Sequence, residues 1–428
     1  PLEETAAAAH AEGRVNMLVL GLLGELLGLP VESLCELAGE KLSRKAETFR
    51  EAAVSSIRQG VEMRPACHVN VPDRGETGAW YLSGNQAAGL GALEMGIRFV
   101  AAYPITPASD VLEWMAGGLE SVGGELVQAE DELAAINMAI GAAFGGVPAF
   151  TATSGPGLAL MSESVGLAVA SETPVTILNV MRGGPSTGIP TKSEQSDLNI
   201  ALYGLHGDAP HLVLAPLDIA DCVFTTGWAV NLAQQLQTPA IVLSDQFIGQ
   251  STAVVSEPRR WQPIELAAGV AAEPADYLRY RMMANGVSTL AAPGDANRRF
   301  TADGLEHNEK GTPSAKHSDH QQQLQKREQK LLRAEYGDDW ATRSGDGCLA
   351  LLCFGSSSAA VAESADLLAE RGLGARVIAL RLLAPLQTGA LASALEGSSD
   401  VVVVEQNHGA QLFHYLRGQM DFEQSVHS

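Results

Sequence analysis

Short apolar runs alternate with longer helical patterns along residues 80–250 of the chain. Runs of β-branched and aromatic residues bounded by glycine or proline predict strands, and apolar residues at three- and four-residue steps predict helices. Alternation of the two indicates a doubly wound parallel sheet covered by helices on both faces. The predicted strands are residues 80–83, 98–103, 125–128, 149–152, 175–180, 211–214 and 240–243, and the predicted helices are residues 85–95, 107–116, 131–144, 158–170 and 217–234.

A second, smaller α/β pattern follows near the end of the chain. It consists of three predicted parallel strands, residues 348–354, 375–382 and 400–405, with helices between them, in a domain from residue 347 to residue 428. The intervening residues 251–346 are polar and irregular, apart from one charged helix predicted near residues 317–335. Such a long connection is unusual in a compact domain, so we expect it to wrap a surface or another subunit.

The first 64 residues predict helical structure, followed by a proline- and glycine-rich linker over residues 65–78. An apolar stripe at helical spacing runs along residues 34–57 and predicts one amphipathic helix, for which this short segment offers little partner surface. The predicted organisation is therefore a helical segment (1–64), a linker (65–78), an α/β domain (79–250), a connection (251–346) and a second α/β domain (347–428). Because the chain starts at Pro1 instead of Met and ends without a clear stop, we expect further sequence at both ends.

Composition narrows the class of function. The chain has 428 residues and a net charge of −22, which disfavours nucleic acid or an anionic membrane as partner. Its five cysteines show no C-x-x-C spacing, so neither an iron–sulfur cluster of usual spacing nor a disulfide framework is predicted. The longest apolar run, residues 17–29, is too short to span a bilayer. We expect a cytoplasmic protein.

Residues 103–107, Tyr-Pro-Ile-Thr-Pro, follow the second predicted strand. Ligands of open parallel sheets bind at the carboxyl ends of strands, so Thr106 presents a hydroxyl to a candidate site. Thr106 could instead serve as the N-cap of a helix that opens at Pro107, which is a common pairing.

Three acids, Glu130, Asp131 and Glu132, stand at the start of an alanine-rich helix. Acids in a first helical turn interact favourably with the helix dipole, and this interaction alone could explain the three acids. Alternatively, one acid points inward. Small residues follow Glu132 on its helix face, so its carboxylate could be buried there and share a proton with a ligand nitrogen.

Two further strand ends carry candidate binding groups. The turn at residues 151–157, Thr-Ala-Thr-Ser-Gly-Pro-Gly, offers free backbone N–H groups for an anion or a ring, and it lacks the G-x-S-x-G pattern of a hydrolase nucleophile. After the strand at 175–180, Arg182 precedes a glycine-rich loop with hydroxyls that ends at Thr191 and Lys192. An arginine there is suited to clamp a carboxylate or phosphate, although it could also pair with a surface acid.

Two other patterns contain potential metal-binding residues, but neither of them predicts a metal site in this chain. Gly345-Asp346-Gly347 resembles the start of a magnesium-diphosphate motif, but the asparagine that should complete it is absent until Asn407, so a turn before a strand is predicted. His307, His317 and His320 are interpreted as surface histidines.

Together these motifs resemble the α subunit of 2-oxoacid:ferredoxin oxidoreductases, in particular the 2-oxoglutarate type. The matching segments are residues 84–88 (Gly-Asn-Gln-Ala-Ala), 103–107, Glu132 ahead of its small-residue helix ending in Gly141, 182–191 (Arg-Gly-Gly-Pro-Ser-Thr-Gly-Ile-Pro-Thr), 304–311 (Gly-Leu-Glu-His-Asn-Glu-Lys-Gly) and 404–409 (Val-Glu-Gln-Asn-His-Gly). The resemblance implies a thiamine-diphosphate-binding-type α/β fold followed by a smaller transketolase C-terminal-like domain. It also implies that the helical start is the end of a fused γ domain.

The resemblance further implies an enzyme divided between chains. Thiamine diphosphate contacts this chain through its pyrimidine, while a β subunit supplies the Mg²⁺ site and a [4Fe-4S] cluster. Coenzyme A accepts the acyl group, ferredoxin accepts the electrons, and αβ (γαβ) units form a dimer. The reaction is reversible, and this chain alone is predicted to be inactive.

Roles are carried over residue by residue from the resemblance. Glu132 bonds pyrimidine N1′, which favours the imino tautomer that removes the thiazolium C2 proton. Pro104 contacts the cofactor. Thr106 and Arg182 hold the ketone oxygen and a carboxylate of the substrate, while Thr191, in the same family loop, is a candidate for its distal end. Lys192 is not assigned by the resemblance, but its charge could offset a second carboxylate of the substrate. Asn407 and Gly409 are candidates for a subunit interface.

Three alternatives stay open. The substrate could be pyruvate, a branched-chain oxoacid or indolepyruvate. The chain could be a catalytically silent scaffolding subunit, although structure alone requires none of Thr106, Glu132 and Arg182. A non-redox thiamine enzyme that releases an aldehyde or transfers a ketol is the third.

Overall fold

The computed structural model describes residues 2–10, 12–63, 69, 78–189, 191–261 and 277–428. The chain divides into two compact units, Pro1–Thr77 and Gly78–Ser428. The predicted linker lies largely outside the described residues. Within those residues, no helix is both long and apolar enough to cross a membrane.

The first unit is built from four helices, and it corrects the predicted single amphipathic helix. The helical structure is interrupted between residues 41 and 47, so the apolar stripe is divided between the third and fourth helices. The second and fourth helices supply the partner surface for each other, since a Cβ at Gly21 would lie 1.9 Å from the Ile57 carbonyl oxygen. The helices are α1 (Leu2–Ala9), α2 (Val15–Leu26), α3 (Val31–Lys41) and α4 (Glu47–Glu62).

The second unit contains eleven helices and fourteen strands among its described residues. The helices are α5 (Gly84–Glu94), α6 (Ser109–Ser121), α7 (Glu132–Phe144), α8 (Gly155–Ala170), α9 (Leu198–Tyr203), α10 (Asp221–Leu236), α11 (Gln246–Gln250), α12 (His317–Leu332), α13 (Ser357–Glu370), α14 (Thr388–Ala394) and α15 (Gln411–Gln419). The strands are β1 (Trp80–Ser83), β2 (Phe99–Ala102), β3 (Glu125–Gln128), β4 (Ala149–Thr153), β5 (Thr176–Met181), β6 (Leu212–Leu214), β7 (Ala240–Asp245), β8 (Thr252–Val255), β9 (Ala341–Ser344), β10 (Leu349–Phe354), β11 (Ala375–Leu380), β12 (Leu382–Ala384), β13 (Asp400–Val404) and β14 (Ser425–His427).

The principal sheet confirms the predicted doubly wound architecture. Its seven strands lie in the order β12-β6-β7-β5-β4-β2-β3, and all neighbours are parallel except β12 with β6. Every residue of β4, β5 and β7 is buried, as expected for central strands covered by helices on both faces. The prediction that residues 80–83 form a strand of this sheet is wrong, because β1 pairs antiparallel with β8 in a separate two-stranded sheet.

The second sheet has five strands instead of the predicted three, in the order β14-β13-β10-β11-β9. Its edge strand β9 is antiparallel. The predicted strand at residues 375–382 is two strands, since β12 leaves this sheet and joins the principal one beside β6. Gly345 and Gly347 have φ of +68° and +147° in the turn before β10, which confirms the predicted turn.

The long connection packs on the principal domain through a buried charge cluster. The predicted charged helix is α12, and it brings Lys326 and Lys330 against the buried carboxylate of Glu172, with Lys330 Nζ 3.0 Å from Oε2. Arg279, from the same connection, donates a hydrogen bond to the backbone carbonyl of Glu172 at 2.7 Å. The cluster therefore attaches the connection to the end of α8 and the segment after it.

The interpretation of His307 as a surface histidine is wrong. Only 1% of this residue is exposed, and its ring packs on Tyr280 with 3.8 Å between ring centroids. The ring nitrogens lie 3.1 Å from the carbonyl oxygen of Ala170 and 3.0 Å from that of Asn308. Residues 304–311 thus pack against the end of α8 through a buried imidazole.

Candidate active site

The carboxyl ends of the central strands form the candidate site. Strand β2 connects to β3 on one side, and the chain then crosses back to β4 on the other side of β2. The order reverses between β2 and β4, and such a reversal is the place where open α/β sheets bind ligands. The segments after β2, β3, β4 and β5 carry Thr106, Glu132, Gly157 and Arg182.

Thr106 lies in an exposed segment whose backbone is held from two sides. Its carbonyl oxygen accepts a hydrogen bond of 2.6 Å from Arg182 Nη1. The carbonyl of the next residue, Pro107, accepts one of 2.8 Å from the buried side chain of Asn85. The Thr106 hydroxyl has no hydrogen bond to any described residue, and helix α6 begins only at Ser109. Thr106 is therefore not the N-cap, and its hydroxyl is free to meet a ligand.

Asn85 was missed as a functional residue by sequence reasoning, although it lies in one of the family-like segments. It stands at the start of α5, whose N-cap Ser83 forms a capping box with Gln86. A Cβ at neighbouring Gly84 would lie 2.3 Å from the Ile248 carbonyl oxygen, so α5 approaches α11 closely. This close packing positions Asn85 beneath the Thr106 segment.

The three acids at the start of α7 have different surroundings. Asp131 is the N-cap and accepts a hydrogen bond of 2.7 Å from the Ala134 N–H, so the helix-dipole interpretation suits it. Glu130 is exposed, whereas only 7% of Glu132 is exposed. The structure confirms that one acid points inward, and that acid is Glu132.

Helix α8 begins directly against the side chain of Glu132. A Cβ at Gly157 would lie 2.1 Å from Thr153 Oγ1 and 2.9 Å from Glu132 Oε1. Within the described part of the chain, no hydrogen bond reaches the Glu132 carboxylate. This carboxylate is therefore available to accept a hydrogen bond from a bound molecule.

Replacing Gly157 by alanine tests this close approach. The new methyl group has to displace Glu132 or Thr153. Because the resemblance assigns Glu132 to the cofactor, we expect turnover of the predicted multi-chain enzyme to fall about 100-fold, as a small misplacement of a catalytic group can produce. Gly166→Ala, in the same helix, is the matched control, because no atom lies within 4 Å of its Cβ position. Steady-state assays of both variants check this, and equal activities would contradict it.

The loop after β5 is held by hydrogen bonds that its own backbone N–H groups donate. The Gly183 N–H donates to the Lys192 carbonyl at 2.9 Å, and the Gly184 N–H donates to Glu194 Oε2 at 3.0 Å. A Cβ at Gly188, whose φ is +73°, would lie 1.7 Å from the Gly183 carbonyl oxygen, so glycine is required there. The loop therefore has a defined shape beside Arg182.

The structure brings together only part of the candidate set. Arg182 donates a hydrogen bond to the Thr106 carbonyl. Glu132 follows β3, the strand next to β2, at the same edge of the sheet. Thr191 is half-buried and Lys192 and Pro104 are exposed. Among the described contacts, no side-chain hydrogen bond links Thr191 or Lys192 to Thr106 or Arg182.

The segment at residues 404–409 packs on the residues that follow this loop. Buried Gln195 donates to the carbonyl of Phe354 at 2.8 Å and accepts from the N–H of Gln406 at 2.8 Å. Asn407 Nδ2 donates to the Gln195 carbonyl at 3.2 Å. Asn407 thus has a role within the chain, since it connects the second sheet to the candidate site.

Comparisons with known proteins identify the family of this chain. Residues 90–326 match the family model described as pyruvate flavodoxin/ferredoxin oxidoreductase, thiamine diphosphate-binding. The fold and the site therefore define a thiamine-diphosphate-binding domain of this oxidoreductase type. The 2-oxoglutarate synthase subunit KorA of Methanothermobacter thermautotrophicus is 36% identical over 344 residues, covering 80% of this chain and 91% of that protein.

Two longer relatives cover almost the whole chain. Subunit alpha of 2-oxoacid:ferredoxin oxidoreductase 2 from Aeropyrum pernix is 34% identical, covering 96% of this chain and 68% of its own length. The solved 2-oxoglutarate:ferredoxin oxidoreductase of Magnetococcus marinus, with 2-oxoglutarate, coenzyme A and succinyl-CoA bound, is similar with a TM-score of 0.86 and 34% identity, covering all of this chain and 76% of that chain. The chain belongs to the α-subunit family of the 2-oxoacid:ferredoxin oxidoreductases, which confirms the resemblance and the enzyme class.

Proposed function

We propose that this chain is the α subunit of a 2-oxoglutarate:ferredoxin oxidoreductase. The enzyme would decarboxylate 2-oxoglutarate oxidatively with coenzyme A, giving succinyl-CoA, CO₂ and reduced ferredoxin, in a reversible reaction. The observation that carries the proposal is the arrangement of one strand edge, where the hydrogen-bonded Thr106–Arg182 pair is followed, at the next strand end, by the inward-pointing Glu132. The names of the relatives favour 2-oxoglutarate among 2-oxoacids.

The residues present fit thiamine diphosphate. A buried acid without a described hydrogen bond matches a basic ring nitrogen, and Gly157 leaves room that a Cβ would fill. Glu132 would hold the pyrimidine, with Pro104 lining its side. When bound, the cofactor supplies the carbon nucleophile and the electron sink that decarboxylation of a 2-oxoacid requires. In the proposed complex, a β subunit provides the Mg²⁺ site and the [4Fe-4S] cluster, and αβ units dimerise.

This chain's own residues would bind and orient the substrate. Glu132 holds or releases a proton at the pyrimidine nitrogen, since a buried carboxyl can exchange a proton with a neighbouring base. Arg182 offers a charged donor to a substrate carboxylate, and its bond to the Thr106 carbonyl fixes its orientation. The Thr106 hydroxyl is placed to donate to the ketone oxygen. Thr191 and Lys192 are candidates for the distal carboxylate, because Lys192 is a cation with no described ion pair.

Arg182→Ala should weaken substrate binding more than it changes the later steps. Loss of a charge-assisted hydrogen bond of about 1.5–3 kcal/mol should raise KM about 10- to 100-fold. Thr187→Ala, in the same loop but exposed and without a described hydrogen bond, serves as control. Initial rates over a range of 2-oxoacid concentrations provide the measurement, and an unchanged KM in Arg182→Ala would contradict the clamp.

The decisive experiment is 2-oxoacid-dependent reduction of a viologen dye by the co-purified complex, with coenzyme A and without oxygen. Reduction with 2-oxoglutarate but not pyruvate would support both class and substrate. Reduction with pyruvate would retain the mechanism and refute the proposed substrate. If a sample with intact clusters failed to reduce the dye with any 2-oxoacid, the silent or the non-redox alternative would be favoured.

A further inference from the structure

The loop that carries Arg182 has two arms, residues 182–184 and residues 191–195, which are hydrogen-bonded to each other. The Gly183 N–H on the first arm donates to the carbonyl of Lys192 on the second arm at 2.9 Å. The next N–H of the first arm donates to a carboxylate oxygen of the second arm at 3.0 Å. Because Arg182 directly precedes these two donors, its position depends on where the second arm lies.

The second arm is attached to the second α/β domain at Gln195. This residue is fully buried, and both groups of its side-chain amide are bonded to that domain. Nε2 donates to the carbonyl of Phe354, at the end of β10, and Oε1 accepts from the Gln406 N–H, two residues after β13, each at 2.8 Å. The Gln195 N–H also donates to the Gln406 carbonyl at 2.7 Å. These hydrogen bonds join one residue of the loop to the ends of two neighbouring strands.

The chemistry of this attachment requires an amide. The Phe354 carbonyl needs a donor and the Gln406 N–H needs an acceptor, whereas a carboxylate only accepts and a hydrocarbon side chain does neither. The second domain also approaches the amide closely. Gly355 has a φ of +61°, and a Cβ there would lie 2.7 Å from Gln195 Nε2. A change at Gln195 therefore leaves buried backbone groups without partners, and the second arm has to move to satisfy them.

We propose that Gln195 is a positioning residue for Arg182, through which the second α/β domain holds the loop in the shape that lets the guanidinium bind the substrate carboxylate. This inference rests on the proposed function, because it takes the ligand of Arg182 to be a 2-oxoacid. It gives the second domain a part in substrate binding. Since Arg182 acts in ground-state binding, loss of the Gln195 amide should raise KM and leave kcat nearly unchanged.

Gln195→Glu and Gln195→Leu test the proposal, because both remove the donor to Phe354 while keeping a side chain of similar size. In the complete complex at neutral pH, we expect each to raise KM for 2-oxoglutarate about tenfold, as a small displacement of a binding group can. A wild-type KM in both variants would overturn the proposal, and so would a fall in kcat with KM unchanged. If neither variant folded, Gln195 would have a purely structural role, and the proposal would be wrong.

The glutamate variant should regain substrate binding as the pH falls. A protonated carboxyl can donate to one backbone group and accept from the other, as the amide does. Burial should raise the pKa of the new carboxyl at position 195, and the nearby carboxylates of Glu194, Asp245 and Glu405 should raise it further. The ratio of its KM to the wild-type KM should therefore fall toward one at acid pH, while the ratio for Gln195→Leu stays constant. A constant ratio for Gln195→Glu would contradict the proposal.

Hydrogen exchange provides a readout that needs no substrate. The N–H groups of Gly183 and Gly184 are bonded to the second arm, so displacement of this arm should make them exchange faster with solvent. Mass spectrometry of the peptide that contains them, from the assembled complex of the wild type and of each Gln195 variant at the same pH, measures this. Wild-type exchange in both variants would overturn the proposal even if KM changed.

Gln387→Glu is the matched control. Gln387 lies in the second domain and its Nε2 donates to the Pro385 carbonyl at 3.0 Å, but none of its described contacts is with the loop. KM, its pH profile and the exchange of the loop should stay those of the wild type, and changes like those of Gln195→Glu would refute the specific link. If the wild-type complex shows no 2-oxoacid-dependent reduction, the proposed function fails, while hydrogen exchange still tests whether Gln195 holds the loop.

Discussion

Replacing Glu132 by glutamine should nearly abolish turnover while the chain stays folded. The buried carboxyl is the only one of the three acids at the start of α7 that points inward, and it has no described hydrogen bond. Glutamine has the same shape but cannot hold and release a proton. General acid–base groups of this kind contribute about 10²- to 10⁴-fold in rate, so a loss of at least this size is expected.

The measurement is turnover of the reconstituted complex, with circular dichroism to confirm folding. Asp131→Asn is the control, because asparagine caps a helix as well as aspartate does and Asp131 points to solvent. We expect nearly wild-type activity from it. Substantial turnover in Glu132→Gln would refute the role of Glu132.

Replacing Glu172 by glutamine should lower the free energy of unfolding more than any of the other substitutions. Burial by itself would raise the pKa of this carboxyl, but the surrounding cations, Lys330 and Lys326 first, hold it well below its usual range. Burial in turn lowers the pKa of Lys330 to about 8 despite the attraction of Glu172. Removing the carboxylate leaves two buried ammonium groups without a counter-charge, and such a loss costs about 3–5 kcal/mol.

Chemical denaturation of the wild type and the variant at neutral pH measures this difference. A folded-state pKa below the unfolded value means that the stability contributed by Glu172 is present above the ordinary carboxyl pKa of 4.5 and is lost as the pH falls below it. Glu172→Gln should lack this acid-dependent part. The double variant Glu172→Gln/Lys330→Met should recover part of the loss, since it removes one uncompensated charge.

Glu328→Gln is the control for this series, because Glu328 is exposed on the same helix α12 and should change stability little. If Glu172→Gln were as stable as Glu328→Gln, the cluster would not attach the connection to the principal domain.

Part of the candidate site could be predicted from the order of residues along the chain. Strand ends followed by Thr106, Glu132 and Arg182 indicated a shared edge, because the carboxyl ends of parallel strands meet there. The sequence did not indicate that Arg182 would bond the backbone carbonyl of Thr106, 76 residues earlier. Nor did it assign a role to Asn85, whose side chain holds the residue after Thr106. Its position in a family-like segment was the only available signal.

By itself, the sequence determined the alternation of strands and helices, the principal parallel sheet, the charged helix α12 and the family, because these depend on periodicity and on contiguous motifs. The tertiary structure alone decided the antiparallel β1–β8 pair, the transfer of β12 to the principal sheet, the burial of His307 and the charge cluster around Glu172. Each of these depends on contacts between distant residues, such as the 154 positions that separate Glu172 from Lys326. The local pattern of a sequence predicts which residues face the core, but the distant groups that they contact there depend on how the whole chain packs.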